Sequence, residues 1–176
     1  MTSHEVLLVA LAAAGSFLVG SVPFGVLIAR AHGRDIRAEG SRNIGATNVW
    51  RVLGPKPGLL CFTLDALKGL APALLAGWWL GALGRFDVPT DHAVAWLAIG
   101  IVSVVGHMFS PWVGFKGGKG VATGFGAVLG FFPWLTVPGV LALLAWLIVL
   151  KATRYVSVAS IVAASTLALG TPLVLP

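Results

Sequence analysis

The 176-residue chain is 57% hydrophobic and only 10% charged, where an ordinary soluble domain carries about 25% charged residues. So few charges cannot cover a water-facing surface, which excludes a soluble globular domain and predicts a bundle embedded in lipid. The formal charge of +6 falls in short segments between apolar runs, with no long basic tract and no basic face spaced by aromatics, so nucleic acid is not expected as a partner.

Apolar runs close to the roughly 20 residues that cross a bilayer recur along the chain. By length and helix breakers they fall at 5–29, 57–80, 93–110, 121–132, 134–150 and 156–171. The predicted fold is therefore an all-α polytopic membrane protein with six transmembrane helices, one domain over residues 1–176. Met1 to Glu5 contain no Lys or Arg, so the first run lacks the basic start of a cleaved signal peptide and reads as a retained span.

Lys and Arg set the orientation. Arg30, Arg34, Arg37, Arg42, Arg51 and Lys56 lie between the first two runs, Lys116 and Lys119 after the third, and Lys151 and Arg154 after the fifth. The positive-inside rule makes these three segments cytoplasmic. Segment 81–92 has Arg85 against Asp87 and Asp91, which suits an outside loop and places the N-terminus outside. Residues 121–150 must then leave and return, and a hairpin turning near Phe132-Pro133 achieves this. A first arm of about 12 residues covers only about 18 Å of a core about 30 Å thick, so either the bilayer thins there or the turn is buried in the bundle. Gly120, Gly124, Gly126 and Gly130 include the small-residue spacing that lets membrane helices approach closely.

Two cytoplasmic segments carry the chemistry. The first runs Gly40-Ser41-Arg42-Asn43-Ile44-Gly45-Ala46-Thr47-Asn48-Val49-Trp50-Arg51. Its hydroxyls and amides supply neutral hydrogen-bonding groups, and Arg51 supplies a planar fork suited to phosphate. An ordinary polar turn is the plain alternative, and four small hydroxyl or amide residues within eight positions count against it. The second, Gly106 to Thr123, contains Phe115-Lys116-Gly117-Gly118-Lys119-Gly120. It combines backbone N–H groups, a helix N-terminus and an ammonium, the three common devices for holding an anion, although a flexible interfacial turn would also use Gly and Lys. The Walker A spacing is absent.

Asp65 and Lys68 lie inside the second run at i and i+3, on one helix face. Ionisable groups at such depth face the bundle interior, and either a mutually neutralised structural pair or a lining of the site accounts for them. Ser157 and Ser160 read as interhelical hydrogen-bonding residues, and His107 as either a packed residue or a base. No histidine is followed by a carboxylate at the fifth position and no G-x-S-x-G elbow occurs. Cys61 is the single cysteine, so no cofactor or metal framework is expected.

Gly20-Ser21-Val22-Pro23-Phe24-Gly25, then Gly40 to Arg51, then Gly106 to Thr123 together resemble the bacterial acyl-phosphate:glycerol-3-phosphate acyltransferases, the PlsY family, over most of the chain. The resemblance implies a multi-pass enzyme of the bacterial cytoplasmic membrane with its site on the cytoplasmic side. It would act as a monomer among membrane lipid, moving a fatty acyl group from acyl phosphate to glycerol-3-phosphate. Carried over by position, Ser41, Asn43, Thr47, Asn48 and Arg51 belong to the first site motif. Gly117, Gly118, Lys119 and Gly120 belong to the glycine-rich phosphate loop. Asp65 and Lys68 match a polar pair on the second helix, and Ser157 a serine near the inner end of the sixth. Ser41, Asn43, Arg51 and Lys119 are the expected catalytic residues, with the others binding substrate. Arg42 stands where the family often has Gly.

The resembled family has a seventh span bearing a third motif with a His and an Asn. Gly170-Thr171-Pro172 and Pro176 read as a turn towards such an element, so a C-terminally incomplete domain is expected. The rival reading from another class is a transporter of a phosphorylated solute, but such proteins commonly show paired halves, and none is detectable here.

Overall fold

The computed structural model describes residues 1–174, which contain helices and no strand. Helix α1 spans Ser3–Ser21 and α2 Phe24–Ala31; α3 spans Ala46–Leu53 and α4 Pro55–Trp79. Helix α5 spans Thr90–Met108, α6 Val121–Gly130, α7 Thr136–Thr153 and α8 Val156–Val174. Five stretches are long and apolar enough to cross a membrane: Ser3–Ala31, Pro55–Trp79, Thr90–Val113, Thr136–Thr153 and Val156–Leu173. Helix α6 is apolar but shorter, 10 residues, a rise of about 15 Å.

Two sequence expectations change. The first run is broken at Val22-Pro23, because proline has no N–H and cannot continue the ladder. The N–H groups of Val26 and Leu27 instead bond the Pro23 carbonyl at 3.0 and 3.1 Å. At the other end, Gly170, Thr171 and Pro172 form no turn: α8 runs through them to Val174, and the Thr171 hydroxyl donates to the Leu167 carbonyl at 2.7 Å. A helix satisfies its own backbone where no water can, so apolar surroundings tolerate proline inside it. Pro176 lies outside the described residues.

Large apolar side chains point outward, among them Leu75, Trp78, Ile148, Ile161 and Leu169, while Ser16, Ser21, Asn48, Asp65, Lys68, Ser103, His107, Ser110 and Thr123 are buried. This inverts the soluble pattern, as expected when the surface meets lipid. Interior hydroxyls and indoles bridge helices: Ser16 donates to the Ile99 carbonyl at 2.6 Å, Ser110 to that of Ser21 at 2.6 Å, and Trp96 to that of Ala73 at 2.6 Å.

Helix α4 is central, packing on α6, α3, α5, α1 and α2. Its contact with α6 is close because glycines meet backbone. A Cβ at Gly126 would strike the Ala66 carbonyl, and one at Gly69 the Thr123 carbonyl. Gly126 and Gly130 thus realise the small-residue spacing, whereas a Cβ at Gly124 would meet nothing within 4 Å. Helices α7 and α8 pair with each other and reach the bundle through α6. The turn between α6 and α7 lies at residues 131–135, where the sequence placed it. It is bonded to the segment before α5: Gly84 N–H donates to the Phe132 carbonyl at 3.0 Å, and the Trp134 indole to that of Arg85 at 2.7 Å.

Gly126→Leu is expected to lower the unfolding temperature sharply, since the side chain meets α4 backbone that cannot yield. Gly124→Ala should leave stability level or raise it by up to about 1 kcal/mol through helix propensity. Thermal unfolding in detergent compares the two, and equal losses would show that α4–α6 contact does not depend on Gly126.

Candidate active site

The two polar segments converge on a cavity of about 390 Å³ lined by residues of α3, α4, α6, the glycine-rich loop and the α7–α8 turn. Ser41, Asn43, Thr47, Asn48, Arg51, Asp65, Lys119, Gly120 and Ser157 all line it. Residues far apart in sequence therefore come together, Ser157 included.

The 36–48 segment is organised around Asn48, which is 1% exposed. Its amide nitrogen faces the carbonyls of Ile36, Glu39 and Asn43 at 3.1, 3.0 and 2.9 Å, and its oxygen accepts from the Ser41 N–H at 2.8 Å. Both amide hydrogens are occupied within the segment, so Asn48 braces the loop from a position on the cavity wall. Asn43 accepts from the Gly45 N–H at 2.9 Å, which fixes the entry into α3 and leaves its amide nitrogen available. Arg42 adopts φ +59°, the left-handed conformation that glycine takes freely, so the flanking Ser41 and Asn43 keep their places although Arg replaces Gly.

The glycine-rich loop is also held by its own backbone. Gly117 N–H donates to the Met108 carbonyl at 3.0 Å and Gly118 N–H to that of His107 at 3.2 Å. These two donors fasten the loop to the end of α5, and neither glycine lines the cavity. Gly117 and Gly118 thus form the turn that leads up to the cavity. The cradle moves one step on, to Lys119, Gly120, Val121 and Ala122 at the start of α6, with Gly120 at φ +76°. Here unpaired N–H groups and the positive end of the helix dipole coincide.

Asp65 and Lys68 part company. Lys68 Nζ lies 2.8 Å from Asp65 Oδ1 and donates to the Val22 carbonyl at 2.6 Å, beside the Phe24 ring. The break at Pro23 turns the Val26 N–H to the Pro23 carbonyl, and the Val22 carbonyl accepts from Phe24 N–H at 3.1 Å as well as from Lys68. Lys68 is absent from the cavity lining, while Asp65 reaches the cavity wall. Asp65 Oδ1 makes no aligned hydrogen bond, its other oxygen receives the Cys61 thiol at 3.6 Å, and His107 Nδ1 stands 3.7 Å away. The opposite edge of that imidazole packs under Gly118, where a Cβ would collide with Nε2.

Charge allocation sets the electrostatics. Of the acidic residues, Glu39 pairs with Arg34, Asp35 with Arg37, Asp65 with Lys68, Asp87 with Arg85 and Asp91 with the N-terminal ammonium, while Glu5 accepts from the Thr2 N–H. Hydrogen bonds from Arg34 and from Arg37 hold the Glu39 and Asp35 carboxyls below their ordinary range. Arg51, Lys119 and Arg154 line the cavity with no carboxylate partner among the described residues. A cavity holding several unpaired cations, small polar groups and a helix N-terminus suits phosphate esters.

Phe62, His107, Trp146, Arg154 and Tyr155 also line it. The apolar and positive-inside patterns absorb all but His107, so sequence offered no signal that singles them out. A second cavity of about 300 Å³, almost wholly apolar, lies between α6, α7 and α8 and shares Phe62, Lys119, Gly120, Val121 and Trp146 with the first.

Removing one member of the buried ion pair should be costly. Lys68→Met is expected to destabilise by about 3–5 kcal/mol by leaving Asp65 unpaired, and adding Asp65→Asn should recover part of the loss. Unfolding midpoints of the single and double variants measure this; a stable single variant would show that the pair contributes nothing to the fold.

Comparison with known proteins agrees with this geometry. The family model described as glycerol-3-phosphate acyltransferase matches residues 10–175. The glycerol-3-phosphate acyltransferase of Geobacter sulfurreducens is 46% identical over 167 residues, 94% of this chain and 77% of that protein. That of Trichlorobacter lovleyi is 45% identical over 156 residues, 89% and 74% of the two chains. The crystal structure of PlsY (YgiH), an integral membrane glycerol 3-phosphate acyltransferase, in its glycerol 3-phosphate form superposes with a TM-score of 0.81 at 38% identity, covering 96% of this chain and 78% of that one. Its lysophosphatidic acid form gives 0.80 at the same identity and coverage. With the family model matching residues 10–175 and the overall fold shared, this chain belongs to the glycerol-3-phosphate acyltransferase family.

Proposed function

We propose that the protein transfers a fatty acyl group from acyl phosphate to the 1-hydroxyl of glycerol-3-phosphate, giving lysophosphatidate and inorganic phosphate for phospholipid synthesis. The observation that carries this reading is the junction of the two cavities. A cationic polar chamber meets an apolar one at Lys119, Gly120 and Val121, which suits a reactant with a phosphate at one end and a hydrocarbon chain at the other.

The reaction needs little acid or base strength. The glycerol oxygen attacks the acyl carbonyl carbon, the bond from that carbon to the phosphate oxygen breaks, and phosphate leaves with the electron pair. Lys119 and the N–H groups opening α6 hold the acyl phosphate, and Arg51 holds glycerol-3-phosphate. Ser41, Asn43 and Thr47 orient the hydroxyl and carbonyl. The hydroxyl proton passes to a substrate phosphate oxygen, while the His107 imidazole, which also lines the cavity, is held between Asp65 and Gly118. Catalysis comes from holding two reactants in line and stabilising developing negative charge.

Two features support six crossings, a hairpin at 131–135 and an N-terminus outside. The α6–α7 turn bonds residues 84 and 85, and the N-terminal ammonium pairs with Asp91 at 2.6 Å, so three non-basic segments share one side. Phe131 and Ala82 are buried there, which is how a 10-residue arm can suffice. The membrane is the bacterial cytoplasmic membrane, the site faces the cytoplasm, and both cavities are built by one chain, which suits a monomer.

Purified protein in lipid, given acyl phosphate and labelled glycerol-3-phosphate, should form labelled lysophosphatidate; uptake of label without product would favour the transporter instead. Lys119→Met and Arg51→Ala should each lower turnover about a hundredfold or more, since losing one preorganised charge contact costs about 2.7–4 kcal/mol. Lys116→Met, outside the cavity, should matter far less, and near-normal activity of Lys119→Met would sink this assignment of the loop.

In a Cys61→Ser background, cysteines placed at Arg37 and Lys116 should react with an impermeant thiol reagent only from the cytoplasmic side, and one at Phe86 only from outside. Labelling of position 116 in intact cells would overturn the topology.

A further inference from the structure

Arg154 ends α7 with its backbone at φ +61° and its N–H bonded to the Leu150 carbonyl at 2.8 Å. Glycine serves this helix-ending conformation best, because a Cβ is disfavoured there. An arginine nevertheless occupies the position, and it lines the polar cavity with Arg51, Lys119 and Ser157. It has no ion pair among the described residues. The neighbouring Lys151, one turn earlier, does not line the cavity, so positive-inside charge alone does not account for Arg154.

Charge balance gives the position a purpose. Each terminal phosphate group carries about −1.5 to −2 at neutral pH, so the two reactants bring roughly −3 to −4 into a chamber whose Asp65 is paired with Lys68 behind it. Arg51 and Lys119 together leave part of that charge unmatched. Lys119 lines both cavities, whereas Arg154 lines only the polar one. A reactant whose chain occupies the apolar cavity therefore has its phosphate beside Lys119, and Arg154 stands on the side left for the water-soluble one.

We propose that Arg154 is a third phosphate-holding cation of the cavity, contacting the phosphate of glycerol-3-phosphate. This rests on the acyl-transfer reading for the identity of the ligand. The planar fork of the guanidinium suits bidentate contact with phosphate oxygens, and the turn fixes it between two helices.

Arg154→Gly and Arg154→Asn, both compatible with a left-handed backbone, separate binding from folding. Each should unfold at or above the wild-type temperature. Each should also raise the KM for glycerol-3-phosphate about tenfold or more, the usual scale for a lost charged hydrogen bond, with the KM for acyl phosphate changed less than about threefold. Arg154→Lys should fall between, and Lys151→Gln should match the wild type. Calorimetric binding of glycerol-3-phosphate, without acyl donor, gives a second readout. If wild-type protein binds glycerol-3-phosphate but forms no product, acyl transfer is wrong, while weaker binding by both variants still supports Arg154. Unchanged binding and KM in Arg154→Gly or Arg154→Asn, a rise confined to acyl phosphate, or no binding of glycerol-3-phosphate by the wild type would overturn the proposal.

Discussion

One backbone carbonyl organises much of this molecule. Pro23 interrupts the first helix, and the oxygen of Val22 at the break receives the Lys68 ammonium. A charge at that depth would otherwise be prohibitive. With Lys68 satisfied from two sides, Asp65 can remain buried beside it, and the central helix is locked against the broken one. Asp65 in turn faces His107, and His107 supports Gly118, so the footing of the glycine-rich loop traces back to the helix break at Pro23. The hydrophobic effect offers little to helix association inside lipid, so close backbone contact and internal polar bonds must hold the bundle together. The α4–α6 glycine contacts and this polar chain divide that work.

The same economy governs charge. With only 6 acidic residues, each committed to another partner, the chain keeps Arg51, Lys119 and Arg154 from being neutralised by its own carboxylates. Short local pairs such as Arg34–Glu39 and Arg37–Asp35 contribute little to stability when solvent-exposed. Their effect is instead to occupy the two acids of the segment that leads into the site. Asn48 does for the backbone what these pairs do for charge. It consumes three carbonyls of the loop before α3, and the groups left over point into the chamber.

The long apolar runs and the turn near Pro133 were legible because hydropathy and proline act locally. Ser41, Asn43, Thr47, Arg51, Lys119 and Ser157 were legible as site candidates because polar residues clustered where an apolar chain has few, and because their order matched a known pattern. What escaped depends on contacts between distant residues. No local signal says that the Gly117 and Gly118 N–H groups are consumed by α5, or that Asn48 faces inward to three carbonyls. Lys68 could not be separated from Asp65, since its acceptor lies 46 positions away. The helix through Pro172 escaped for the opposite reason: a local breaker was overruled by the need to satisfy backbone in an apolar setting.

The apolar cavity between α6, α7 and α8 has a kinetic meaning if it houses the donor's chain. Its three walls are helices whose far faces carry exposed residues such as Ile148, Ile161 and Leu169, so the chain of the donor passes between one hydrocarbon environment and another. The encounter takes place in two dimensions. For that reactant the governing variable is its mole fraction in the bilayer rather than its bulk molarity, and extra detergent or inert lipid acts as a diluent at constant total amount. The soluble reactant obeys ordinary volume concentration. A single site thus answers to two different concentration scales, and its rate couples the lipid composition of the membrane to the metabolite level of the adjoining aqueous phase.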